Sequence, residues 1–158
     1  MGKTRKFLLI AGLLLCAQLC FAKQISFQII QYDDRTQNVT EQSLVIEDEL
    51  LNGLFETGYI VTNSPTISFD SGSDETALYN KAMGDAYEGF SDYFLQIKVY
   101  YKNALNKINW SLASVSNGKI IKESEITGSV TTNDEKGMKK ISSKLVSDIT
   151  NFLKSYKA

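Results

Sequence analysis

The stretch YFLQIKVYYKNALNKINWSLASVSNGKI, residues 93–120, carries the clearest structural signal in this chain. Its first nine residues alternate between two faces, which is the pattern of a strand that buries one of them. The side chains predicted to face the core are Leu95, Ile97 and Val99. A second alternating run covers residues 108–115, and Asn117-Gly118 follows it. Since a two-residue hairpin turn needs positive φ at both central positions, this dipeptide predicts a tight hairpin leading to a strand over residues 120–130.

Capping residues and apolar spacing predict three helices around these strands. The first has Thr40 as its N-cap and stops at Gly58, the second has Ser73 as its N-cap and stops at Gly89, and the last opens at Asp134. The last helix repeats apolar residues every three or four positions, so one of its faces should be buried. For the first helix, the predicted apolar face consists of Leu44, Leu50, Leu51, Leu54 and Phe55.

Two further strands, over residues 25–32 and 59–62, complete the element order β-α-β-α-β-β-β-α. A strand, helix and strand in succession imply a crossover between parallel strands, and the hairpin adds antiparallel ones. We therefore expect a single α/β (α+β) domain over residues 23–158. It should be a two-layer sandwich with a mixed sheet of about four to five strands and three helices on one face of it.

The first 22 residues have the features of a secretory signal peptide. Three basic residues precede an apolar run over residues 7–15, which is too short to span a bilayer comfortably. Cleavage after Ala22, leaving Lys23 as the first residue, fits the small residues before the cut. The alternative is a lipid anchor on Cys20. The bulky leucine before that cysteine makes a poor lipobox.

The composition narrows both location and chemistry. No cysteine follows Ala22, and a cysteine-free exported domain fits a bacterial periplasm. We therefore predict a periplasmic or secreted protein, with an envelope lipoprotein as the alternative. The chain contains no histidine, which excludes Ser-His-Asp triads, Cys-His pairs and HExxH zinc sites. No catalytic residue, metal site or cofactor is predicted. The chain's net charge of −1 gives no basic domain for nucleic acid.

Three segments resemble a family of bacterial envelope domains. They are ELLNGLF at residues 49–55, WSLASVSNGK at 110–119 and KISSKLVSDI at 140–149. Their order and setting are similar to the N-terminal domain of the translocation protein TolB, the curli secretion protein CsgG and the penicillin-binding-protein activator LpoB. These domains are assembly and partner-binding modules. The resemblance therefore implies a non-enzymatic envelope accessory with a protein partner and no catalytic residue.

A partner surface is predicted on the exposed side of the sheet. The strand over residues 120–130 offers an edge on which an extended segment can dock. Outward aromatic side chains could act as anchors, unless a second layer covers them and makes them core. These are Phe94, Tyr100 and Tyr101. A stripe of lysines on the last helix is either solvated or a contact for a partner or a lipid phosphate. It consists of Lys136, Lys140 and Lys144.

Two other functions remain open from the sequence. The chain's eight tyrosines and eight phenylalanines could line the pocket of a small-ligand or lipid carrier. A carboxylate glycan hydrolase would need two acids at a suitable separation, and Glu88 with Asp92 is the only local pair that suggests itself. A solvated helix end explains that pair as well.

Overall fold

The computed structural model describes residues 22–70, 72–131 and 134–156. Cys16, Cys20 and most of the predicted leader lie outside these residues. The strands are β1 (Gln24–Asp33), β2 (Ile60–Asn63), β3 (Ile67–Ser68), β4 (Tyr93–Tyr101), β5 (Leu105–Ser114) and β6 (Lys119–Val130). The helices are α1 (Glu41–Glu56), α2 (Glu75–Glu88) and α3 (Glu135–Ser155).

The strands form one mixed sheet in the order β2-β1-β4-β5-β6, with β3 also paired to β1. β1 is parallel to β2, β3 and β4, while β4, β5 and β6 form an antiparallel meander. The crossover, the hairpin and the α+β class are therefore confirmed. The two-residue strand β3 brings the sheet to six strands.

The two faces of the sheet carry different helices. α1 and α3 pack on one face and bury the main core, which includes Leu95, Ile97 and Val99 as predicted. α2 lies on the opposite face, where Ala82 and Ala86 pack against a smaller cluster. The expectation that all three helices share one face is therefore wrong. Alternate side chains of β4 point to the two faces of the sheet, and α2 covers Phe94 on the second face.

The helix caps follow the sequence with one exception. Thr40 caps α1, and Gly58 ends it with φ +96°, a conformation that favours glycine. Asp134 caps α3. The cap of α2 is Asp74 and not Ser73 as predicted. The Asp74 carboxylate accepts hydrogen bonds from the N–H groups two and three residues further on, at 2.9 and 3.2 Å.

The hairpin between β5 and β6 forms where predicted, but its turn differs. The strands pair from Ser114 with Lys119, so the loop holds four residues and not two. Gly118 has φ +66°, whereas Asn117 is not among the residues with positive φ. The Val115 N–H donates to a carbonyl of the loop before β4 at 3.0 Å. That bond continues the β4–β5 register by one position, while the pairing of β5 with β6 stops at Ser114 and Lys119.

α1 buries a narrower stripe than predicted. Its buried residues are Ser43, Ile46, Leu50 and Leu54. Leu44 is 48% exposed and Phe55 is 71% exposed, so the prediction that they belong to the core is wrong. Successive helical residues are turned by about 100° from one another. Since Leu54 faces the sheet, Phe55 must point away from it.

α1 and α3 approach each other closely at Gly53. A β-carbon built at this position would lie 2.9 Å from both methyl carbons of Val146. Alanine is favoured over glycine inside a helix by about 1 kcal/mol, but overpacking costs about 1–3 kcal/mol. We expect Gly53→Ala to lower the free energy of unfolding by about 1 kcal/mol in urea denaturation.

A second variant separates the two effects on this helix contact. Val146→Ala removes both methyl groups that a new β-carbon would meet. In that background, Gly53→Ala should raise the free energy of unfolding, because only the helix preference remains. If Gly53→Ala raised the free energy of unfolding already in the wild-type background, α1 and α3 would be able to move apart at no cost in stability.

Candidate functional site

The face of the sheet that carries α2 is only partly covered. Beyond the helix, β4, β5 and β6 place polar side chains around a cavity of about 400 Å³, here called the sheet groove. Its lining includes Gln96, Lys98, Tyr100, Asn109, Ser111, Glu123 and Glu125. These residues face away from the core because each stands at an alternate position from the buried ones. The strand register places Gln96 beside Ser111 and then Glu123 across the sheet.

The first turn of α2 stands beside the sheet groove and forms a wall of an adjoining cavity, which shares Gln96, Lys98, Ser111 and Glu123 with the groove. The Glu75 carboxylate accepts a hydrogen bond from the Tyr32 hydroxyl and forms an ion pair with the Lys98 ammonium group. The Tyr32 ring stacks between Phe69 and Tyr100, with a centroid separation of 4.7 Å on each side. Strands β1 and β4 and helix α2 thus hold this wall together through a charged network and an aromatic stack.

The wall has a defined protonation state at neutral pH. The hydrogen bonds from Lys98 and Tyr32 hold the pKa of the Glu75 carboxyl below its usual value. Burial, followed by the hydrogen bond to Glu75, raises the pKa of the Tyr32 hydroxyl far above its usual value. Glu75 is therefore a carboxylate and Tyr32 a hydrogen-bond donor. A general acid of glycoside hydrolysis needs the opposite, a carboxyl group with a raised pKa.

The far side of the sheet groove carries charges of both signs. Lys107 Nζ lies 3.6 Å from Glu125 Oε2 and 4.6 Å from the centroid of the Tyr100 ring. Glu123 is also exposed and lies on the same face of β6 as Glu125, two residues before it in the chain. Such a lining can hydrogen-bond and pair with a peptide of mixed charge.

β6 lies at the end of the sheet order, beside the sheet groove. Within the described residues it pairs with β5 on one side and with no strand on the other. Its twelve residues therefore present backbone N–H and C=O groups along one open edge. The prediction that this strand is an edge is confirmed.

The residues predicted to form the partner surface differ in burial and in the face of the sheet on which they lie. Phe94 is fully buried beneath α2, and Tyr101 is 4% exposed, with its hydroxyl 3.1 Å from Ser43 Oγ. These two side chains are core, as the covered-sheet alternative expected. Tyr100 is half-buried at the sheet groove. The lysines Lys136, Lys140 and Lys144 are exposed on α3, in the opposite layer, so the structure does not bring them to Tyr100.

Of the two carboxylates considered for hydrolysis, Glu88 and Asp92, the second stabilises the fold through a hydrogen bond. Glu88 and Asp92 are both exposed near the end of α2. Asp92 Oδ2 accepts a hydrogen bond from the Gln24 N–H at 2.7 Å and so ties the start of β4 to the start of β1. Within the described ranges, no three or more His, Cys, Asp and Glu side chains are grouped so that they could hold a metal ion. No helix in this part of the chain has the length and apolar character to cross a membrane.

Comparison with known proteins identifies a family and a fold. Residues 24–154 match the model of a family described as an uncharacterised protein. No curated protein matches the sequence. The fold is similar to that of PelC from Paraburkholderia phytofirmans, solved as a dodecamer. The TM-score is 0.53 at 17% identity, over 82% of this chain and 88% of that chain.

Two of the proteins named in the predicted resemblance are also among the structures that match, at low identity. The LpoB C-terminal domain from Salmonella enterica matches with a TM-score of 0.47 and 19% identity, over 77% of this chain and 92% of that chain. TolB from Acinetobacter baumannii matches with a TM-score of 0.45 and 11% identity, over 84% of this chain and 29% of that chain. The resemblance to the curli secretion protein stays a prediction.

Proposed function

We propose that this chain, which belongs to the uncharacterised family whose model matches residues 24–154, is a non-enzymatic accessory module of the bacterial envelope. It binds a protein partner through the sheet groove and the adjoining edge of β6. The observation that carries this proposal is the open edge of β6 directly beside a polar groove. The predicted leader supports export, with cleavage between Ala22 and Lys23 and a periplasmic or secreted location. An envelope lipoprotein remains the alternative.

The geometry fits the addition of a strand to the sheet. An extended segment of the partner can hydrogen-bond to the open side of β6, which gives affinity without requiring a particular sequence. Side chains of the added strand alternate between the two faces, so every second one would point over the sheet groove. Basic side chains there would meet Glu123 and Glu125 on β6. Sequence preference would come from these charges.

Several observations support a non-enzymatic role. The chain has no histidine. Hydrogen bonds from Lys98 and Tyr32 lower the pKa of the Glu75 carboxyl. Glu75 therefore carries no proton to donate at neutral pH, as a general acid would have to. Polar side chains dominate the sheet groove, whereas a pocket for a lipid or a drug-sized ligand is usually mostly apolar.

Site-specific photocrosslinking in the producing cells tests the partner surface. A photoreactive amino acid at Ile120 lies on β6 and lines, together with Glu123, the cavity between α2 and the sheet groove. We expect it to give a discrete adduct with one envelope protein. Leu44 is the matched control, since it is 48% exposed against 45% for Ile120 and lies on α1 in the other layer. Adducts that are absent at Ile120, or identical at both positions, would contradict the proposal.

Charge reversal sharpens the same experiment. Glu123→Lys and Glu125→Lys change only exposed side chains, so the fold should tolerate them. Together they should weaken the Ile120 adduct severalfold if basic partner side chains face the groove. Lys136→Glu on α3 is the control, with a change of charge per residue that is equal in size and opposite in sign, and it should leave the adduct unchanged.

A further inference from the structure

Large exposed hydrophobic side chains gather at one end of the domain. α1 and α2 finish at this end, and β1, β2 and β4 begin there, with Gln24 beside Ile60 and Ile25 beside Tyr93. The side chains concerned are Phe55, Ile60, Tyr87 and Phe90, which are 71%, 50%, 67% and 89% exposed. We call these four residues the apolar end. Scattered exposed hydrophobic residues are ordinary, but a group on one surface marks a contact site.

Phe90 has a backbone conformation that the end of α2 imposes and that suits glycine better, since the Ser91 N–H closes the helix on the Ala86 carbonyl at 2.9 Å. Its φ of 58° makes it the only non-glycine residue with positive φ among the described residues. It follows Gly89, the C-cap of α2, at a position where helices usually place glycine. A bulky residue there is strained, and this one is also almost fully exposed. Strain of this kind is characteristic of sites that contact something outside the fold.

A cavity of about 400 Å³ adjoins Phe90 and has an amphipathic lining. Tyr87, Tyr93 and Tyr156 contribute aromatic rings to it. The Lys23 ammonium group donates to the Tyr93 hydroxyl at 2.8 Å and lies 5.0 Å from the centroid of its ring. Tyrosines with a lysine whose stem runs along apolar surface are typical of the boundary between a bilayer and water.

The position of the chain start indicates what covers this surface. Lys23 precedes β1 at the apolar end, so the preceding residues, with their apolar run over 7–15, join the domain here. A leader that is retained, or a lipid on Cys20, would therefore hold the apolar end at the membrane surface. A lipid on Cys20 would lie three residues from Lys23, about 10 Å of extended chain.

We propose that the apolar end rests on a phospholipid bilayer, with Phe90 and Tyr87 inserted among the headgroups. This surface lies apart from the sheet groove, so it leaves the edge of β6 free for a protein. The inference shares the predicted leader with the proposed function but not its site, because neither Glu123 nor the edge of β6 takes part in it.

Vesicle flotation tests this proposal. The processed protein is purified from the exporting cells, its intact mass is recorded, and it is mixed with vesicles of phosphatidylethanolamine and phosphatidylglycerol. We expect Phe90→Gly to reduce the partition coefficient about tenfold, as the loss of one buried aromatic side chain implies. Glycine suits positive φ, so this variant should be at least as stable as the wild type. Leu44→Ser removes a hydrophobic side chain away from the apolar end and should leave binding unchanged.

Three outcomes would overturn the proposal. The wild-type protein could fail to float with vesicles. Phe90→Gly combined with Tyr87→Ser could bind as tightly as the wild type, which would leave an acyl chain or nonspecific charge as the anchor. Sedimentation without lipid could show an oligomer that Phe90→Gly dissociates, which would assign the apolar end to a second copy of this chain.

Discussion

Phe94→Ala is expected to lower the free energy of unfolding by about 3–5 kcal/mol. The side chain is fully buried at the centre of the cluster under α2. Its ring meets Tyr79 edge to face at a centroid separation of 5.5 Å, and Ala82 and Ala86 pack against it. The stability of a domain is about 5–15 kcal/mol in total. This one substitution should therefore remove a large fraction of it, as urea denaturation would measure.

The location of the loss can be tested as well as its size. Tyr100→Ala is the matched control, because Tyr100 is on the same strand and the same face but only half-buried. Its cost should be clearly smaller. Hydrogen exchange of the α2 amides should accelerate in Phe94→Ala more than exchange of the α1 amides. A loss below about 1 kcal/mol, within the range of ordinary surface changes, would mean that α2 does not depend on Phe94.

Gln31→Leu should lower the free energy of unfolding by about 3 kcal/mol, although leucine has a similar size. Gln31 is fully buried, and its side-chain amide donates to the Asn38 carbonyl at 2.9 Å. Its side-chain oxygen accepts from the Thr40 N–H and from Ser43 Oγ, both at 2.8 Å. Leucine would leave these groups without their partner, at a cost of about 1–3 kcal/mol for each group that stays buried.

Gln28 supplies the control for this polar cluster. It is also a buried glutamine of β1, but its side chain has one long hydrogen bond, 3.3 Å from Gln96 Nε2. Gln28→Leu removes this one bond and should therefore cost only about 1 kcal/mol. In addition, Gln31→Leu and Ser43→Ala should be non-additive, since they remove the same hydrogen bond. Equal losses for both glutamines would show that burial alone, and not the cluster, sets the cost.

Most of the helices and strands could be predicted because their signals are local. Apolar spacing defines α3, and Thr40 with Gly58 delimits α1. Phe94 could not be assigned in this way, because the alternation of β4 does not say whether its second face is covered. That depends on where α2 packs, which is a tertiary property.

The candidate site could be predicted only in part, for the same reason. Tyr100 was expected to point outward, but its setting depends on Tyr32 and Glu75, which lie 43 residues apart in the chain. No short-range pattern links them. Gln31 did leave a signal. It continues the face of Ile25, Phe27 and Ile29, and a polar side chain at a core position implies buried hydrogen-bond partners.

The parallel pairing of β1 with β4 has a consequence for folding kinetics. β1 lies inside the sheet and is buried over most of its length, yet its partner in β4 follows 68 residues later, as between Gln28 and Gln96. Such non-local pairing slows folding, because a long loop must close before the contact is gained. The segment ISFQII in β1 is synthesised early, and it stays unpaired on the β4 side until β4 has been made. During that interval an unfolded chain is most exposed to aggregation, so this interior strand, more than the solvent-facing β6, is where a chaperone would be needed.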